Sequence, residues 1–399
     1  MYNERTLKIY RDFVAETDKK SKKTGIYYYN LLDLMKEECS YYIPFGIRSN
    51  GKTTAPFILA LIDYTQFGNQ LGLIRRNDLD LKGKKARELF SGLASLTFKN
   101  KNLIDFLTDG KFNNIKYFSS QWFLCKYDED LGKDVMDATP FCHGFALSTG
   151  VHDKSIPYPR IRTILFDEFI DRNGYIEDEF VKFMNMISTI VREKKEATIF
   201  MCGNSVNKYC PYFKEMGLYN ITKMKPDTIE YYTYGDSGLK VGVEFLAIDK
   251  TNTSKTKKTH KKPSDIYFAF NNPKLQMITT GAWEIDIYPH LPIKYDNKDI
   301  KFKFFIKFDN NILQCEIIYK EKMLFVYCHR KTTPIKNIEK DLIYQQEYSP
   351  RYNHSIDMAM PRNEIEKEIW YLYKTGKFFY QDNEVGEVVR NYILWSKEN

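Results

Sequence analysis

The residues best suited to carry chemistry lie in one short segment, Gly46-Ile47-Arg48-Ser49-Asn50-Gly51-Lys52-Thr53. The segment fits the pattern G-x-x-x-x-G-K-[ST], in which backbone N–H groups surround the phosphates of a nucleotide. In that pattern Lys52 reaches the β- and γ-phosphates, and the Thr53 hydroxyl ligates Mg²⁺. The expected nucleotide contacts are Gly46, Arg48, Ser49, Asn50, Gly51, Lys52, Thr53 and Thr54. A chance glycine-rich turn is the alternative interpretation.

The flanking segments supply the setting that such a loop needs. Residues 41–45 are apolar and aromatic and predict a strand. Residues 54–62 predict a buried helix, and Pro56 fits its first turn, where a missing N–H costs nothing. A strand–loop–helix unit directs the partial positive charge of the helix N-terminus at the phosphates. This context favours a phosphate-binding loop over a chance match.

Two adjacent acids form the second candidate group. Residues 163–166 predict a buried strand that ends in Asp167 and Glu168, about 115 residues beyond Lys52. Asp167 would hold Mg²⁺, and Glu168 would orient and deprotonate the attacking water, as a general base does. A solvated strand end is the alternative. Because a small-molecule kinase must keep water out, a water-activating carboxylate beside the metal acid favours hydrolysis over transfer.

Strands and helices alternate through the first two hundred residues. Further strands are predicted at 70–74 and 197–204, and helices at 80–96 and 177–191. A polar, glycine-punctuated region lies between them at 97–150. This alternation predicts an α/β fold with a mostly parallel sheet flanked by helices.

Several polar side chains fall at the predicted carboxyl ends of these strands, which is where open α/β sheets bind ligands. Lys52, Arg75, Asp167, Glu168 and Asn204 share that placement. Asn204 is a candidate sensor, whose amide would bridge the γ-phosphate or the attacking water to the next segment. A helix cap is the alternative role for Asn204.

A basic turn precedes the last of these strands. It contains Arg192, Lys194 and Lys195. In ring ATPases a basic residue in this place can reach the γ-phosphate of a neighbouring subunit and stabilise transition-state charge. An ordinary solvated turn is the alternative interpretation.

Composition limits the class of protein. The 399 residues suffice for two domains, or for three if one is small, and 43% hydrophobic with 28% charged residues is typical of a soluble globular protein. The net charge of +8 is compatible with a nucleic-acid partner. Seven cysteines without a C-x-x-C pair favour a reducing compartment. The sequence has no apolar run long enough to span a membrane, so we expect a cytosolic protein that is not secreted and has no membrane partner.

In combination and order, these segments resemble the DNA-packaging ATPases (encapsidation proteins) of small phi29-like tailed phages, distant relatives of the terminase large subunits and of the FtsK/HerA translocases. The resemblance rests on residues 46–54, 73–76, 163–170 and 185–204, followed by 211–213. It implies a P-loop NTPase fold of the ASCE, RecA-like type. It also implies a homo-oligomeric ring, a pentamer in that family, which uses ATP and Mg²⁺ to drive double-stranded DNA into a prohead.

The same resemblance implies further roles and partners. Arg192 falls where the family has a trans-acting arginine finger. Lys154, thirteen residues before Asp167, matches a second basic residue implicated in nucleotide handling or exchange between subunits. The portal, or connector, of the prohead is an implied partner, a structural RNA is an optional one, and the implied location is the host cytoplasm.

The C-terminal third predicts a smaller α+β domain. Its pattern predicts strands at 301–308, 312–319 and 323–328 and helices at 363–373 and 384–397. Three strands followed by helices resemble the RNase-H-like nuclease domain of terminases. The first strand carries lysine and phenylalanine where such nucleases need metal-binding acids. We therefore expect a vestigial domain without nuclease activity that docks DNA or the portal.

The predicted domain boundaries follow from these segments. Residues 1–208 would form the ATPase domain, 209–265 a linker region and 266–399 the vestigial domain. Within the linker region, residues 250–262 contain six lysines and no acid, which predicts a mobile loop. This loop would either stay solvated or contact DNA, RNA or the prohead through phosphate attraction.

The leading hypothesis is an ATP-driven translocase that packages double-stranded viral DNA through a portal vertex. One alternative is another DNA-dependent P-loop ATPase, such as a helicase-like replication protein, or a nucleotide kinase. The other alternative is a non-catalytic scaffold that binds nucleic acid or a capsid vertex. Adenine is favoured over guanine because no N-K-x-D pattern follows the core. The three tyrosines at 27–29 would either stack on the base or form a buried strand.

Overall fold

The computed structural model describes residues 2–25, 27–149, 158–172, 174–192, 196–247, 280–284, 286–291, 293–347 and 354–397. The chain divides into two compact units. Unit 1 comprises Met1–Arg172 and Glu179–Glu284, and unit 2 comprises Asn173–Asp178 and Ile285–Asn399.

Unit 1 is built on a ten-stranded sheet, with a separate two-stranded ribbon formed by β3 and β4. Its strands are β1 (Tyr41–Gly46), β2 (Gln70–Arg75), β3 (Thr97–Phe98), β4 (Lys101–Asn102), β5 (Asn114–Phe118), β6 (Gln121–Asp128), β7 (Lys133–Met136), β8 (Cys142–Ala146), β9 (Ile161–Asp167), β10 (Thr198–Asn204), β11 (Thr228–Tyr234) and β12 (Leu239–Leu246).

The strand order in the large sheet is β11-β12-β1-β10-β9-β2-β8-β6-β5, with β7 paired to β6. The six strands from β12 to β8 run parallel, and the strands beyond them at both edges are antiparallel. All six residues of β1 are buried, as expected for a parallel strand covered on both faces. The prediction of a mostly parallel α/β sheet is confirmed.

The described helices of unit 1 are α1 (Glu4–Thr24), α2 (Thr54–Phe67), α3 (Gly83–Glu88), α4 (Ser91–Ala94), α5 (Leu103–Leu107), α6 (Glu179–Val191) and α7 (Pro211–Glu215). Helix α1 begins at an Asn3 cap, ends at Gly25 in the left-handed region and packs against α2. Helix α1 buries Tyr10 and Phe13 in the core of unit 1.

Two predicted regions differ from the structure. The helix predicted at 80–96 is divided into a 3-10 turn at Asp78–Leu81 and the short helices α3 and α4, and Gly83, the first residue of α3, has a φ of 63°. The polar region 97–150 contains six short strands, β3 to β8. In β6 the buried Trp122 and Leu124 alternate with less buried residues, which is the pattern of a strand at the edge of a core.

The predicted boundary at residue 208 lies inside unit 1. The described part of the predicted linker region, up to residue 247, contributes β11 and β12 to the large sheet. Strand β12 pairs in parallel with the whole length of β1, from Val241 to Leu246, and is buried over the same residues. The linker prediction is therefore corrected, because this segment carries core strands. The lysine-rich segment 250–262 lies outside the described residues.

Unit 2 contains a six-stranded sheet in the order β17-β16-β13-β14-β15-β18. Its strands are β13 (Ile300–Phe308), β14 (Asn311–Lys320), β15 (Met323–Arg330), β16 (Leu342–Gln345), β17 (His354–Ser355) and β18 (Phe378–Tyr380), and its described helices are α8 (Glu364–Lys374) and α9 (Asn383–Ser396). The predicted three-stranded meander and both C-terminal helices are confirmed. Two-residue turns with positive φ at Asp309-Asn310 and Glu321-Lys322 connect the meander.

Two further features concern the whole described chain. All seven cysteines lie in the described ranges and are buried free thiols. Within those ranges, none of the helices combines the length and the apolar character that crossing a membrane requires.

Candidate active site

The glycine-rich loop connects the end of β1 to the start of α2, as the sequence predicts. Gly46 has a φ of 126°, and a Cβ at this position would stand 2.1 Å from the carbonyl oxygen of Leu246, so no other residue fits without displacing β12. Ser49 and Gly51 also have positive φ, at 55° and 94°. These conformations turn the loop sharply before the helix begins at Thr54.

The Lys52 side chain is buried, with 5% exposure. Its ammonium donates to the carbonyl oxygen of Ile47, to Asn50 Oδ1 at 3.4 Å and to Asn204 Oδ1 at 3.3 Å. These three acceptors are neutral oxygens, so they orient the cation without neutralising it. Asn204, predicted as a sensor, therefore contacts the loop lysine directly.

The two predicted acids lie beside the loop. The Thr53 hydroxyl donates to Asp167 Oδ1 at 2.8 Å, across 114 residues of sequence. On its other oxygen Asp167 pairs with Arg75, with Nη2 and Oδ2 2.6 Å apart. Arg75 also donates to Glu168 Oε2 at 2.9 Å. One arginine thus bridges both acids in this structure.

An open cleft of about 390 Å³ joins these groups. It is lined by Arg48, Ser49, Asn50, Gly51, Lys52, Thr53, Thr54, Asp167, Glu168, Cys202, Gly203 and Asn204. Ten of the predicted site residues therefore line one cleft, and Gly46 lies at the base of its loop. The buried amide nitrogen of Asn50 has no hydrogen-bond partner among the described residues, so a donor is available for a ligand oxygen.

Burial raises the pKa of the Cys202 thiol well above its ordinary value. The thiol is 1% exposed and donates to the carbonyl oxygen of Lys52 at 3.4 Å. A protonated, buried thiol is a poor nucleophile. Covalent catalysis by Cys202 is therefore not expected, although the residue lines the cleft.

Glu168 is held in an unusual backbone conformation. Its φ is 61°, in the left-handed region, which non-glycine residues adopt rarely and at some cost in free energy. Its N–H donates to the carbonyl oxygen of Cys202 at 2.8 Å. Arg76 donates to the carbonyl oxygens of Glu168, at 3.2 Å, and of Phe169, at 2.8 Å. These bonds hold the turn that presents the Glu168 side chain, which is 66% exposed.

Arg76 is itself fixed by acids. The buried guanidinium makes a bidentate pair with Glu179, at 2.8 and 2.9 Å, and contacts Asp171 at 3.1 Å. The Tyr212 hydroxyl donates to the same Glu179 carboxylate at 2.8 Å. The sequence placed Arg75 at a strand end but assigned a role neither to it nor to Arg76. The available signal was that Arg75 ends the buried strand β2 and Arg76 follows it, since paired arginines at a strand end need acidic partners.

The loop is supported from behind by Tyr29. Its N–H donates to the carbonyl oxygen of Asn50 at 2.8 Å, and its hydroxyl donates to the buried Glu244 at 2.8 Å. Tyr28 is 54% exposed, and its Cβ would lie 3.8 Å from a Cβ built on Gly51. The tyrosines at 27–29 do not form a strand.

Of the basic residues predicted at 154 and in the turn at 192–195, the structure describes only Arg192. Arg192 is exposed at the C-terminal end of α6, with a φ of 40°, and does not line the cleft. Lys154, Lys194 and Lys195 lie outside the described residues.

Fold and site together define a class: a mixed α/β protein in which a glycine-rich loop, an acidic strand end and Asn204 meet at the carboxyl edge of a mostly parallel sheet. Residues 136–233 match the family model of the Podovirus DNA encapsidation protein (Gp16). The match includes Asp167, Glu168, Arg192 and Asn204 and ends before β12. The resemblance to the phi29-like DNA encapsidation proteins is thereby confirmed.

Individual relatives agree with the family match. The DNA packaging protein of Bacillus phage B103 is 37% identical over 75 residues, which cover 18% of this chain and 23% of the relative. The DNA packaging protein of Bacillus phage phi29 is 25% identical over 193 residues, which cover 47% of this chain and 49% of the relative. The chain thus spans about half the length, or less, of the curated relatives it matches.

Among solved structures, the Phi-28 gp11 DNA packaging motor is similar over 92% of this chain and 98% of that chain, with 18% sequence identity and a TM-score of 0.48.

Proposed function

We propose that this protein is an ATP-driven translocase that packages double-stranded phage DNA into a prohead through the portal vertex. The observation that carries the proposal is the single cleft in which the glycine loop, Asp167, Glu168 and Asn204 meet. These are the groups that binding and hydrolysis of a nucleoside triphosphate require. The match to DNA encapsidation proteins supports DNA packaging as the use of that hydrolysis.

Phosphate binding is assigned to the loop. The positive φ angles at Ser49 and Gly51 and the N-terminus of α2 favour an anion-binding nest of backbone N–H groups. The oriented ammonium of Lys52 and the Asn50 amide nitrogen, which has no hydrogen-bond partner in the described part of the chain, add two donors. This part of the site would take the polyphosphate of ATP in preference to an uncharged ligand.

Mg²⁺ fits Thr53 and Asp167. Their hydroxyl and carboxylate oxygens are already in contact at 2.8 Å, and oxygen donors of this kind are the ligands that Mg²⁺ prefers. A bound Mg²⁺ would neutralise charge on the phosphate oxygens. Arg75 pairs with the other carboxylate oxygen, Oδ2, so Oδ1 of Asp167 is the oxygen that would face the cation beside Thr53.

Glu168 is the proposed general base. Its exposed carboxylate stands at the mouth of the cleft, next to Asp167, where it can accept a proton from water. In this structure the carboxylate is engaged by Arg75. Release of the Arg75 contact would free the Glu168 carboxylate to bind water. Asn204 would keep its hydrogen bond to Lys52, and through it would sense the bound phosphate.

The proposed assembly follows the family. The chain would form a homo-oligomeric ring, a pentamer in the family, at the portal of a prohead in the host cytoplasm, with double-stranded DNA as substrate and a structural RNA as an optional partner. Arg192, exposed at the end of α6, is the proposed arginine finger toward a neighbouring subunit. Lys154 keeps its proposed role in nucleotide handling.

For unit 2 we propose a vestigial RNase-H-like domain. In support, β13, β14 and β15 are antiparallel, while β16 pairs in parallel with β13 and β17 in parallel with β16. Strand β13 has the sequence IKFKFFIKF, without an acid. Two-metal nucleases require acids at this place, so the proposal is a docking domain for DNA or the portal, not a nuclease.

The first experiment measures ATP hydrolysis by the full chain, with and without double-stranded DNA, for the wild type and Lys52→Met. Wild-type hydrolysis should respond to DNA. Loss of the charged donor to the phosphates should lower turnover by about 100-fold or more. The matched control is Lys84→Met, a change at an exposed lysine of α3 outside the cleft, which should keep wild-type activity.

Two outcomes would favour other functions. Hydrolysis without any response to DNA would favour a kinase-like enzyme, and no hydrolysis by the wild type would favour a scaffold.

Arg192 is tested by mixing subunits. An Arg192→Ala chain and a Lys52→Ala chain should each be inactive, yet their mixture should recover part of the DNA-stimulated ATPase rate. The reason is that an intact Lys52 cleft can then receive an intact Arg192 from a neighbour. A mixture no more active than its separate components would assign Arg192 a role within its own subunit.

A further inference from the structure

Residues 280–284, here called the junction segment, are the last described part of unit 1 before the chain continues into unit 2. The segment lies against the start of the glycine loop. A Cβ built on Gly281 would stand 2.7 Å from both the backbone nitrogen of Ile47 and the carbonyl oxygen of Leu246. Such close backbone contact allows little movement of the loop without movement of the segment.

Two further contacts fix the junction segment beside the site. The hydroxyl of Ser205, the residue after Asn204, donates to the carbonyl oxygen of Gly281, and the Ser205 carbonyl oxygen accepts from the N–H of Glu284 at 3.0 Å. The Trp283 ring stacks on Phe245, with centroids 6.0 Å apart, and lies 5.5 Å from Phe45, which precedes Gly46. The junction segment is thus in contact with β1, which leads into the loop, and with β12, which pairs with β1.

The segment ends in a carboxylate that binds the loop arginine. Glu284 is 6% exposed, and its Oε1 lies 3.1 Å from Nη2 of Arg48. Its Oε2 lies 3.5 Å from Nη1 of Arg172. The Arg48 side chain is 44% exposed and lines the cleft. Within the described ranges, Glu284 is the one acid that pairs with Arg48.

We propose that Glu284 is a positioning residue that holds Arg48 in competition with the phosphates of the nucleotide. This inference rests on the proposed nucleotide-binding function of the same cleft. Phosphate oxygens and a carboxylate both satisfy a guanidinium through charged hydrogen bonds, so the two compete for Arg48. Binding of ATP draws Arg48 away from Glu284 and loosens the junction segment. Nucleotide occupancy is thereby communicated to the segment of chain that leads into unit 2.

Calorimetric titration of the full chain with Mg-ATP tests the competition. Glu284→Gln keeps the shape of the side chain and removes the competing charge, so the Kd for Mg-ATP should fall about fivefold. Arg172→Gln removes one guanidinium that competes with Arg48 for the Glu284 carboxylate, so Glu284 should hold Arg48 more strongly and the Kd should rise. A purely structural loss would weaken binding in both variants. The opposite signs therefore distinguish positioning from damage to the fold.

A double-mutant cycle identifies Arg48 as the intermediary. In an Arg48→Gln background, Glu284→Gln should change the Kd by less than about twofold. An unchanged Kd in the single Glu284→Gln variant, or a fivefold effect that persists without Arg48, would overturn the inference while the proposed function stands. Failure of the wild type to bind Mg-ATP would instead overturn the proposed function and the inference with it.

Trp283 provides an independent reading of the coupling. Addition of Mg-ATP should change the tryptophan emission of the wild type, and Trp283→Phe should abolish the change. Arg48→Gln should reduce the change in emission at saturating ATP, because the ion pair through which ATP would act on Glu284 is then missing. Equal emission changes in the wild type and in Trp283→Phe would show that the junction segment does not respond, and would reject the coupling.

Discussion

Glu168→Gln is expected to lower the rate of ATP hydrolysis by about 100-fold or more and to leave the affinity for ATP nearly unchanged. The amide has the size of the carboxylate but cannot accept the proton of the attacking water. Glu168 is 66% exposed and is not one of the residues that hold the glycine loop, so the variant should fold and bind as the wild type does. Steady-state hydrolysis together with calorimetric binding of Mg-ATP measures the two effects separately.

Glu88→Gln is the matched control for this prediction. It makes the same chemical change at an exposed acid of α3, away from the cleft, and should retain wild-type turnover. Turnover by Glu168→Gln within about threefold of the wild type would remove Glu168 from its role as general base. An equal loss of binding and turnover would instead indicate that Glu168 supports the site structurally.

Arg76→Met is expected to lower the free energy of unfolding of unit 1 by about 3–5 kcal/mol. The variant leaves the Glu179 carboxylate, which is 3% exposed, without its bidentate partner in the interior. It also removes the donors that hold the carbonyl oxygens of Glu168 and Phe169, so any folded fraction should hydrolyse ATP poorly. Chemical denaturation followed by circular dichroism measures the loss of stability.

The control for Arg76 is a surface pair of the same type. Arg11 pairs with Glu4 on α1, where the two side chains are 50% and 78% exposed, and Arg11→Met should cost less than about 1 kcal/mol. Adding Glu179→Met to Arg76→Met should recover much of the lost stability, since the uncompensated charge is then gone. A cost for Arg76→Met no larger than that for Arg11→Met would contradict a buried ion pair at this position.

Local patterns in the sequence were sufficient for the elements that carry the predicted site. The spacing of Gly46, Gly51, Lys52 and Thr53 encodes a loop with positive φ at both glycines, followed directly by a helix. The apolar runs before Asp167 and Asn204 are continuous because parallel strands are buried on both faces. Such strands, and the polar residues at their ends, can therefore be recognised from composition alone.

Strands at the edges of the sheet were harder to recognise. Strand β11 alternates between more and less exposed residues, and β5 and β7 are largely exposed, so none of them has a continuous apolar run. Their partners are supplied by the tertiary pairing with β12 and β6. The domain boundary predicted at 208 was wrong for the same reason, since no local feature marks β12 as the neighbour of β1.

The sequence by itself determined the chemical groups of this protein: the loop with Lys52 and Thr53, the acid pair, and the amide of Asn204. Only the tertiary structure decided which of them touch. The parallel register of β1, β10 and β9 brings Asp167 to within 2.8 Å of Thr53, and the crossing to β2 adds Arg75 and Arg76. The fold also brings Glu284 into contact with Arg48, although the two residues are 236 positions apart in the sequence. These contacts depend on long-range strand order and packing, which patterns of neighbouring residues do not contain.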